Sequence, residues 1–196
     1  MERTFNALLI RELGPGSGYR RPTQTLAARV TPGSPALEVM TDLTRASPAT
    51  IRPQAPIEGA NQFMIARGVR LLLVADDREA VLGVITATDI LGEKPMLVSV
   101  DRGLKRAELT VGDIMTPAEH VEVLALADVE GARVGHVVET LKRAGRQHAL
   151  VVDTDGGRSM VRGIFSVSQI ARQLGLPLQT SEIARTFAEI EAALGR

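Results

Sequence analysis

The residues best suited to chemistry occur in two matching stretches. "GVITATDI" at residues 83–90 and "GIFSVSQI" at residues 163–170 share one order: glycine, two apolar residues, a hydroxyl residue, two small or apolar residues, a polar residue and isoleucine. Thr86 precedes Asp89 by three positions, and Ser166 precedes Gln169 by the same interval. That spacing is typical of a capping box, in which a hydroxyl group and a polar side chain satisfy the backbone N–H groups that begin a helix. Both stretches therefore predict a helix start.

Other residue types that often form sites are dispersed. His120, His136 and His148 show no metal-ligand spacing, so we expect no metal site. The acidic run at residues 153–156 falls at a predicted turn, where Asp and Gly are ordinary residues. "GPGSG" at residues 14–18 lacks the lysine of a phosphate-binding loop. With no nucleophile or acid–base pair in view, we expect no catalytic site.

Composition narrows the class of protein. The chain has 196 residues, 44% of them hydrophobic, which suits one large domain or two small ones with a buried core. Its 23 basic and 23 acidic residues cancel and only 3% are aromatic, so we expect no nucleic-acid partner. The absence of cysteine excludes disulfides and thiolate chemistry. No apolar run approaches the roughly 18 residues that span a bilayer, so we expect a cytoplasmic protein without a membrane partner.

The matching stretches belong to a longer internal repeat. "LEVMTDL" at residues 37–43 resembles "GDIMTPA" at residues 112–118. "ARGVRLLLVADD" at residues 66–77 likewise resembles "RAGRQHALVVDT" at residues 143–154. With the two stretches above, three landmarks recur in the same order at separations of 75, 77 and 80 residues. This pattern indicates two diverged copies with small loop insertions.

Each copy is predicted to be a β-α-β-β-α unit. After a short β-prone segment beginning at Ala49, the first copy has apolar spacing for a helix over residues 57–68, strands over 69–75 and 80–86, and a helix from Thr86 to about Gly92. The second copy follows with a strand over 121–125, a helix over 133–144, strands over 149–153 and 161–165 around a turn at 154–159, and a helix over 167–174. A small sheet of this kind needs helices or a second copy to cover it.

The repeat divides the chain into five parts. We assign residues 1–36 to an N-terminal extension, 37–95 to the first unit, 96–110 to a linker, 111–175 to the second unit and 176–196 to a C-terminal helix. The extension is rich in Gly, Pro, Ser and Thr, and we expect its apolar cluster to dock on the module or on a second subunit; the cluster comprises Phe5, Leu8, Leu9 and Ile10.

The C-terminal part has an amphipathic pattern. Its apolar residues fall on one face of a helix; they are Ile183, Phe187, Ile190 and Leu194. That apolar stripe needs cover, either from the rest of the chain or from a second subunit.

This arrangement resembles a tandem pair of CBS domains (cystathionine β-synthase-like domains), often called a Bateman module. The resemblance covers about residues 37–175 and rests on the Met-Thr dipeptide of each copy, the apolar strand that ends in Asp, and the repeated "G-h-h-[ST]-x-x-D" pattern, where h is an apolar residue. It implies an α/β fold of two units packed through their sheets around a pseudo-twofold axis, with two clefts between them. Members of this family commonly bind AMP, ADP, ATP or S-adenosylmethionine in those clefts and regulate a partner.

The first cleft is predicted to hold the ligand. A carboxylate such as Asp89 can accept hydrogen bonds from both ribose hydroxyl groups, and the helix start at Thr86 can receive a phosphate oxygen. By the resemblance, Val69 packs on the adenine and Arg70 reaches a phosphate. The complete predicted set is Thr44, Ala49, Val69, Arg70, Thr86 and Asp89.

The second cleft is predicted to bind more weakly. Ser166 and Gln169 occupy the positions of the hydroxyl and the carboxylate, but an amide oxygen is a weaker acceptor than a carboxylate. Arg146 and Gln147 replace the apolar and small residues usual in the family. We therefore treat Ser166 and Gln169 as weak candidates.

Two functions remain open from the sequence. The first is a non-catalytic regulatory module, expected to be a homodimer, that senses an adenosine-containing ligand and signals to an unknown protein partner. The second is a structural dimerisation or scaffold module with an empty, degenerate cleft. Asp89, Thr86 and Thr44 favour the first function, whereas Gln169 and Arg146 favour the second.

Overall fold

The computed structural model describes residues 24–155 and 157–176. The first half contains β1 (Thr41–Asp42), β2 (Thr50–Ile51), α1 (Ile57–Arg67), β3 (Leu71–Ala75), β4 (Val81–Thr86), α2 (Ala87–Leu91) and α3 (Lys94–Arg102). The second half contains α4 (Val111–Ile114), β5 (Thr116–Pro117), β6 (Val123–Ala125), α5 (Leu126–Glu130), α6 (Val134–Arg143), β7 (His148–Asp155), β8 (Arg158–Ser166) and α7 (Val167–Gln173). The predicted C-terminal helix and the apolar cluster at residues 5–10 lie outside the described residues.

The first unit is built on a four-stranded sheet in the order β2-β3-β4-β5. β2 runs parallel to β3, and the other neighbours are antiparallel. Helix α1 buries Ile57, Ala60 and Met64 against the sheet and ends at Gly68, whose φ of 65° suits a residue without a side chain. The predicted helix and both strands of this copy are confirmed, apart from small differences at their ends.

The second unit repeats this architecture with the sheet order β1-β8-β7-β6. Helix α5 was not predicted, and the β7–β8 hairpin differs from the prediction, which placed a turn at residues 154–159. Pairing instead continues through Thr154 and Ser159 to Asp155 and Arg158. These outer residues are mostly polar, so no apolar alternation marked them as strand. Helix α6 follows the prediction closely and buries Val134, Val137, Val138 and Leu141.

The two units exchange the segments that precede their repeats. β1 comes from the first copy but pairs with β8 of the second sheet, while β5 comes from the second copy and pairs with β4 of the first sheet. Ala36 N–H donates to the carbonyl of Ala132, at a distance of 3.0 Å, and Val111 N–H donates to that of Ala55, at 2.8 Å. The divisions at residues 37 and 111 therefore follow the repeat along the chain, whereas packing places the leading residues of each copy in the other unit.

This exchange explains the glycine that opens each matching stretch. Gly83 pairs with Pro117 and Gly163 pairs with Asp42, so each glycine lies beside an exchanged strand in its sheet. A β-carbon at Gly83 would collide with the backbone carbonyl of Thr116, and one at Gly163 would collide with the side chain of Met40. Glycine is needed here for close approach rather than for an unusual backbone angle.

The units pack through their sheets. Alternate residues of β3 face the other unit, and the buried contact consists of Leu71, Leu73, Val84 and Leu150. Helices cover the opposite face of each sheet and form the two larger cores. The predicted α/β fold of two packed units is therefore confirmed.

Among the described residues, no helix has the length and apolar character needed to cross a membrane.

Candidate functional site

Helix α2 begins with the predicted capping box. Thr86 donates hydrogen bonds from its N–H and its hydroxyl to Oδ2 of Asp89, at 2.9 Å and 2.7 Å. Asp89 N–H donates back to the Thr86 hydroxyl at 3.2 Å. These bonds fix the Asp89 carboxylate at the point where β4 becomes α2, and its side chain is 19% exposed.

The second carboxylate oxygen of Asp89 has a cationic neighbour. Lys94 Nζ lies 3.2 Å from Oδ1 of Asp89 and 3.4 Å from the carbonyl of Met115. Lys94 is the first residue of α3, which the sequence analysis did not predict. In this conformation both oxygens of the Asp89 carboxylate have partners within the chain.

Asp89 faces a cavity of about 260 Å³ between the two units. The first unit contributes Leu71, Val84, Thr86, Thr88, Asp89 and Thr116. The second unit contributes Val121, Glu122, Gly145, Arg146, Gln147, His148 and Leu150. Apolar side chains line part of the cavity, and charged or polar groups surround the rest. The cavity therefore combines apolar surface with a carboxylate and a guanidinium group.

Residues in the second-unit wall of this cavity were predicted from the sequence to line the other cleft. Arg146 and Gln147 were grouped with the second cleft because they belong to the second copy, but they lie at the cavity that holds Asp89. The reason is the packing of the two units, which sets the start of β7 opposite the end of β4. Arg146 also pairs with Glu122, at 3.2 Å between Nη2 and Oε2.

The remaining predicted residues of the first site do not line this cavity. Ala49 and Val69 are half-buried beside the core of the first unit. Arg70 is exposed, and its carbonyl accepts a hydrogen bond from Ala87 N–H at 2.9 Å. The structure thus brings Thr86 and Asp89 together at the cavity but not with Ala49, Val69 or Arg70.

Thr44 lies at the edge of the second sheet. Its N–H and hydroxyl donate to Oδ1 of Asp42, at 2.8 Å and 2.6 Å, and Arg162 pairs with the same oxygen. Burial of Asp42 opposes ionisation, but the hydrogen bonds from Thr44 and the charge of Arg162 outweigh it and lower the pKa of Asp42. Thr44 therefore stabilises a charged strand end.

The predicted second capping box is wrong. Ser166 makes no capping hydrogen bond to α7; its hydroxyl lies 2.9 Å from that of Ser168. The Gln169 amide extends along the helix, donating to Oε1 of Gln173 at 3.1 Å and accepting from Arg172 at 3.1 Å. The longer glutamine side chain finds partners one turn away, so Ser166 and Gln169 do not reproduce the Thr86–Asp89 arrangement.

Burial lowers the pKa of His148. It lies at the start of β7, pairs with Ser166 across the sheet, and lines the cavity. Burial disfavours the imidazolium form, and the positive charge of Arg70 disfavours it further, so the pKa of His148 falls from 6.5 to about 4. The imidazole is therefore neutral at physiological pH.

A further capping box, which was not predicted, begins α4. Thr110 donates from its N–H and hydroxyl to Oδ2 of Asp113, at 2.8 Å and 2.7 Å, at the start of α4. These two bonds lower the pKa of Asp113, and the charge of Arg102 adds to the effect. The "T-V-G-D" sequence at residues 110–113 was the available signal. Asp113 does not line the Asp89 cavity, so it offers an internal comparison for Asp89.

Among the described residues, no cluster of three or more His, Asp or Glu side chains could hold a metal ion.

The comparisons with known proteins agree with this architecture. The family model of the CBS domain matches residues 36–95. A comparison with curated protein sequences gave no match. Among solved structures, an uncharacterized conserved protein from Pyrococcus horikoshii superposes with a TM-score of 0.54 at 22% identity, covering 78% of this chain and all of that chain.

Two similar structures contain adenosine compounds. CBSX2 from Arabidopsis thaliana, in complex with AMP, superposes with a TM-score of 0.52 at 22% identity, covering 71% of this chain and 95% of that chain. The CBS-domain pair of protein MJ0100, in complex with 5'-methylthioadenosine and S-adenosyl-L-methionine, gives a TM-score of 0.51 at 23% identity, covering 74% of this chain and 98% of that chain.

These findings define the fold of the chain. The first unit, over residues 36–95, matches the family model of the CBS domain. Its two units, which exchange their leading segments, have the fold of a tandem CBS pair.

Proposed function

We propose that this protein is a non-catalytic regulatory module that binds an adenosine-containing ligand in the cavity beside Asp89. AMP, ADP, ATP and S-adenosylmethionine are the ligands considered. The observation that carries the proposal is the position of Asp89: a carboxylate held by a capping box, at the wall of a cavity that both units line. A carboxylate in that position can accept hydrogen bonds from the two hydroxyl groups of a ribose.

The other groups at the cavity suit the remainder of a nucleotide. Leu71, Val84 and Leu150 offer apolar surface for a base, and Arg146 offers a guanidinium group for a phosphate. The related folds of CBSX2 with AMP and of MJ0100 with S-adenosyl-L-methionine support an adenosine compound as the ligand class.

The size of the cavity suggests how binding would become a signal. Its volume of about 260 Å³ lies just below the roughly 300–1,000 Å³ typical of small-molecule sites. Because residues of both units form its walls, a nucleotide that enters must favour a slightly more open arrangement of the units. A ligand that binds one arrangement better shifts the population towards it. We propose that a protein partner, or the second chain of a homodimer, responds to this shift.

The Lys94–Asp89 pair favours a second candidate function, a scaffold module with a closed cleft. In this conformation Thr86 and Lys94 already occupy the carboxylate oxygens that a ribose would need. The two functions differ in a measurable way, because a scaffold gains no stability from adenosine compounds, whereas a ligand that binds the native state raises the melting temperature.

The test is a thermal-shift screen with AMP, ADP, ATP, S-adenosylmethionine and NAD, followed by titration calorimetry with the best ligand. The sensor function predicts a concentration-dependent rise in Tm that Asp89→Asn reduces. No rise with any of these compounds would support the scaffold instead. Light scattering on the same samples tests the homodimer, since a monomeric mass at micromolar concentration would exclude it.

A further inference from the structure

A second and larger cavity lies away from Asp89. This groove has a volume of about 840 Å³ and opens at the far ends of β3 and β4. Its first-unit walls are β2, helix α1 and the turn between β3 and β4; its second-unit wall is the start of β8. The apolar side chains in it are Leu43, Ile51, Phe63, Leu73, Val81, Met160 and Val161. Met160 is 52% exposed, so part of this continuous apolar surface faces solvent and is available to a binding partner.

The groove follows an open sheet edge. β2 is the outer strand of the first sheet, and no strand within the described part of the chain pairs with its other side. Thr50, Ile51 and Arg52 of this edge all line the groove. An exposed edge beside apolar pockets is the arrangement by which proteins bind an extended apolar peptide, with backbone hydrogen bonds on one side and side chains in the pockets.

The described chain begins next to this groove. The Gln24 amide nitrogen donates to the carbonyl of Met40 at 2.9 Å, and its oxygen accepts from Asp42 N–H at 2.7 Å. Gln24 therefore holds the outer edge of β1, immediately before Leu43, which forms part of the groove wall. Any path taken by residues 1–23 must start from this position.

The preceding sequence supplies a suitable occupant. Phe5, Leu8, Leu9 and Ile10 form the apolar cluster of residues 1–23. Ile10 precedes Gln24 by 14 residues. Fourteen extended residues span up to about 45 Å, so the cluster can reach every part of the groove.

The groove rim and residues 1–23 also carry charges of opposite sign. The turn at the groove rim carries Asp76, Asp77 and Glu79 against Arg78. Arg52, which also lines the groove, pairs with Asp77 at 3.2 Å, so the rim has one net negative charge. Residues 1–23 contain four Arg and two Glu, with Arg20 and Arg21 close to the point where the chain leaves Gln24. Opposite charges at the rim favour docking and set its direction.

We propose that the apolar segment of residues 5–10 occupies this groove in its own chain, bridging the edge strand of the first unit and β8 of the second. The proposal is independent of any ligand at Asp89. Because the segment contacts both units, its docking would hold them in one relative orientation.

The chain contains neither Trp nor Cys, which allows a clean fluorescence test. Phe5→Trp introduces a single tryptophan, and Met160→Cys provides a site for a nitroxide label that quenches tryptophan at short range. The matched control places the label at Val100→Cys on α3, which is 79% exposed and outside the groove. Both labelled positions are exposed, so neither label disturbs the core.

The expected result is a blue-shifted emission from the introduced tryptophan, which loses most of its intensity with the label at position 160 and little with the label at position 100. Mixing unlabelled Phe5→Trp chains with labelled Met160→Cys chains should give no quenching, because the contact lies within one chain. Solvent-like emission, equal quenching by both labels, or quenching only between chains would each overturn the proposal. Quenching between chains would instead assign the groove to a second copy.

Discussion

Lys94 Nζ lies 3.2 Å from Oδ1 of Asp89, so the carboxylate proposed to bind a ribose has a cationic competitor from the same chain. The competitor is partly exposed, with 38% of the Lys94 side chain accessible. Partly exposed ion pairs contribute little to stability, typically less than about 1 kcal/mol. A ligand can therefore displace Lys94 at small cost.

The Asp89 carboxylate should decide ligand affinity. Asp89→Asn keeps a side chain that can cap α2 but removes the charge that accepts the ribose hydroxyl groups. Hydrogen bonds to a charged group are worth about 1.5–3 kcal/mol, so affinity for the best adenosine ligand should fall at least about tenfold. Titration calorimetry measures this change.

Asp113→Asn is the matched control for Asp89→Asn. It alters the same kind of capping box, also paired with a cation, but outside the Asp89 cavity. It should reduce stability to a similar extent and leave binding unchanged. Equal affinity of wild type and Asp89→Asn would rule out the ribose role.

Removing the competitor should strengthen the binding of an uncharged nucleoside. Lys94→Met frees Oδ1 of Asp89, and the affinity for adenosine should rise by up to about fivefold, as expected for loss of a surface ion pair. Arg102→Met, which breaks the corresponding pair with Asp113, should have no effect on binding. Weaker adenosine binding by Lys94→Met would instead mean that the ammonium group contacts the ligand.

The stability of the folded state should decrease as the pH falls through the range between the two pKa values of His148. Its pKa is about 4 in the folded chain and near 6.5 when unfolded, so the unfolded chain binds more protons between these values. The folded state should lose about 1–3 kcal/mol as the pH falls from about 6.5 to about 4. Thermal unfolding followed by circular dichroism measures the loss.

His148→Gln should remove most of this pH dependence above about pH 4. The lowered pKa values of Asp42 and Asp113 act in a lower range, because their ordinary value is 3.8 and their stabilisation is lost only as they become protonated. An unchanged slope between the folded and unfolded pKa values of His148 in the His148→Gln variant would contradict the assignment to this residue.

Gly83 and Gly163, which pair with the exchanged strands, should differ in their tolerance of alanine. Gly83→Ala places a methyl group against the backbone of Thr116, which cannot move without breaking the β4–β5 pairing, and should cost about 1–3 kcal/mol. Gly163→Ala meets the flexible end of Met40, so its cost should be smaller.

Gly59→Ala provides the control for both substitutions. Nothing lies within 4 Å of a β-carbon at Gly59, and alanine there should stabilise α1 by up to about 1 kcal/mol. Urea unfolding of the three variants gives the comparison. A cost at Gly163 as large as that at Gly83 would show that Met40 cannot adjust.

The sequence was sufficient to predict the elements whose apolar pattern is long enough to read. Helices α1 and α6 and strands β3 and β4 have such patterns. β1 and β5 have two residues each, and no local pattern states which sheet a two-residue strand will join. Helix α3 was missed because its exposed apolar residues do not follow a core-facing stripe; they are Met96, Leu97 and Val100.

Only the first-unit side of the candidate site was predicted from the sequence. Thr86 and Asp89 have a local signature, because a capping box depends on neighbours three residues apart. Arg146, Gln147 and His148 reach the same cavity through the packing of the two units, which a single copy does not encode. Gln169 fits the capping pattern by residue type, yet its longer side chain bonds to Gln173 instead.

The exchange of β1 and β5 also determines how the molecule can come apart. Neither repeat, cut from the chain at its boundary, contains all four strands of a sheet. Each would leave behind the strand that pairs with Gly83 or Gly163. The halves are therefore not autonomous folding units. Each core also contains residues of the other repeat, Val39 and Met40 in the second unit and Val111 and Ile114 in the first. Unfolding of the pair should be one cooperative event, and two separately produced halves should gain structure only when they are mixed.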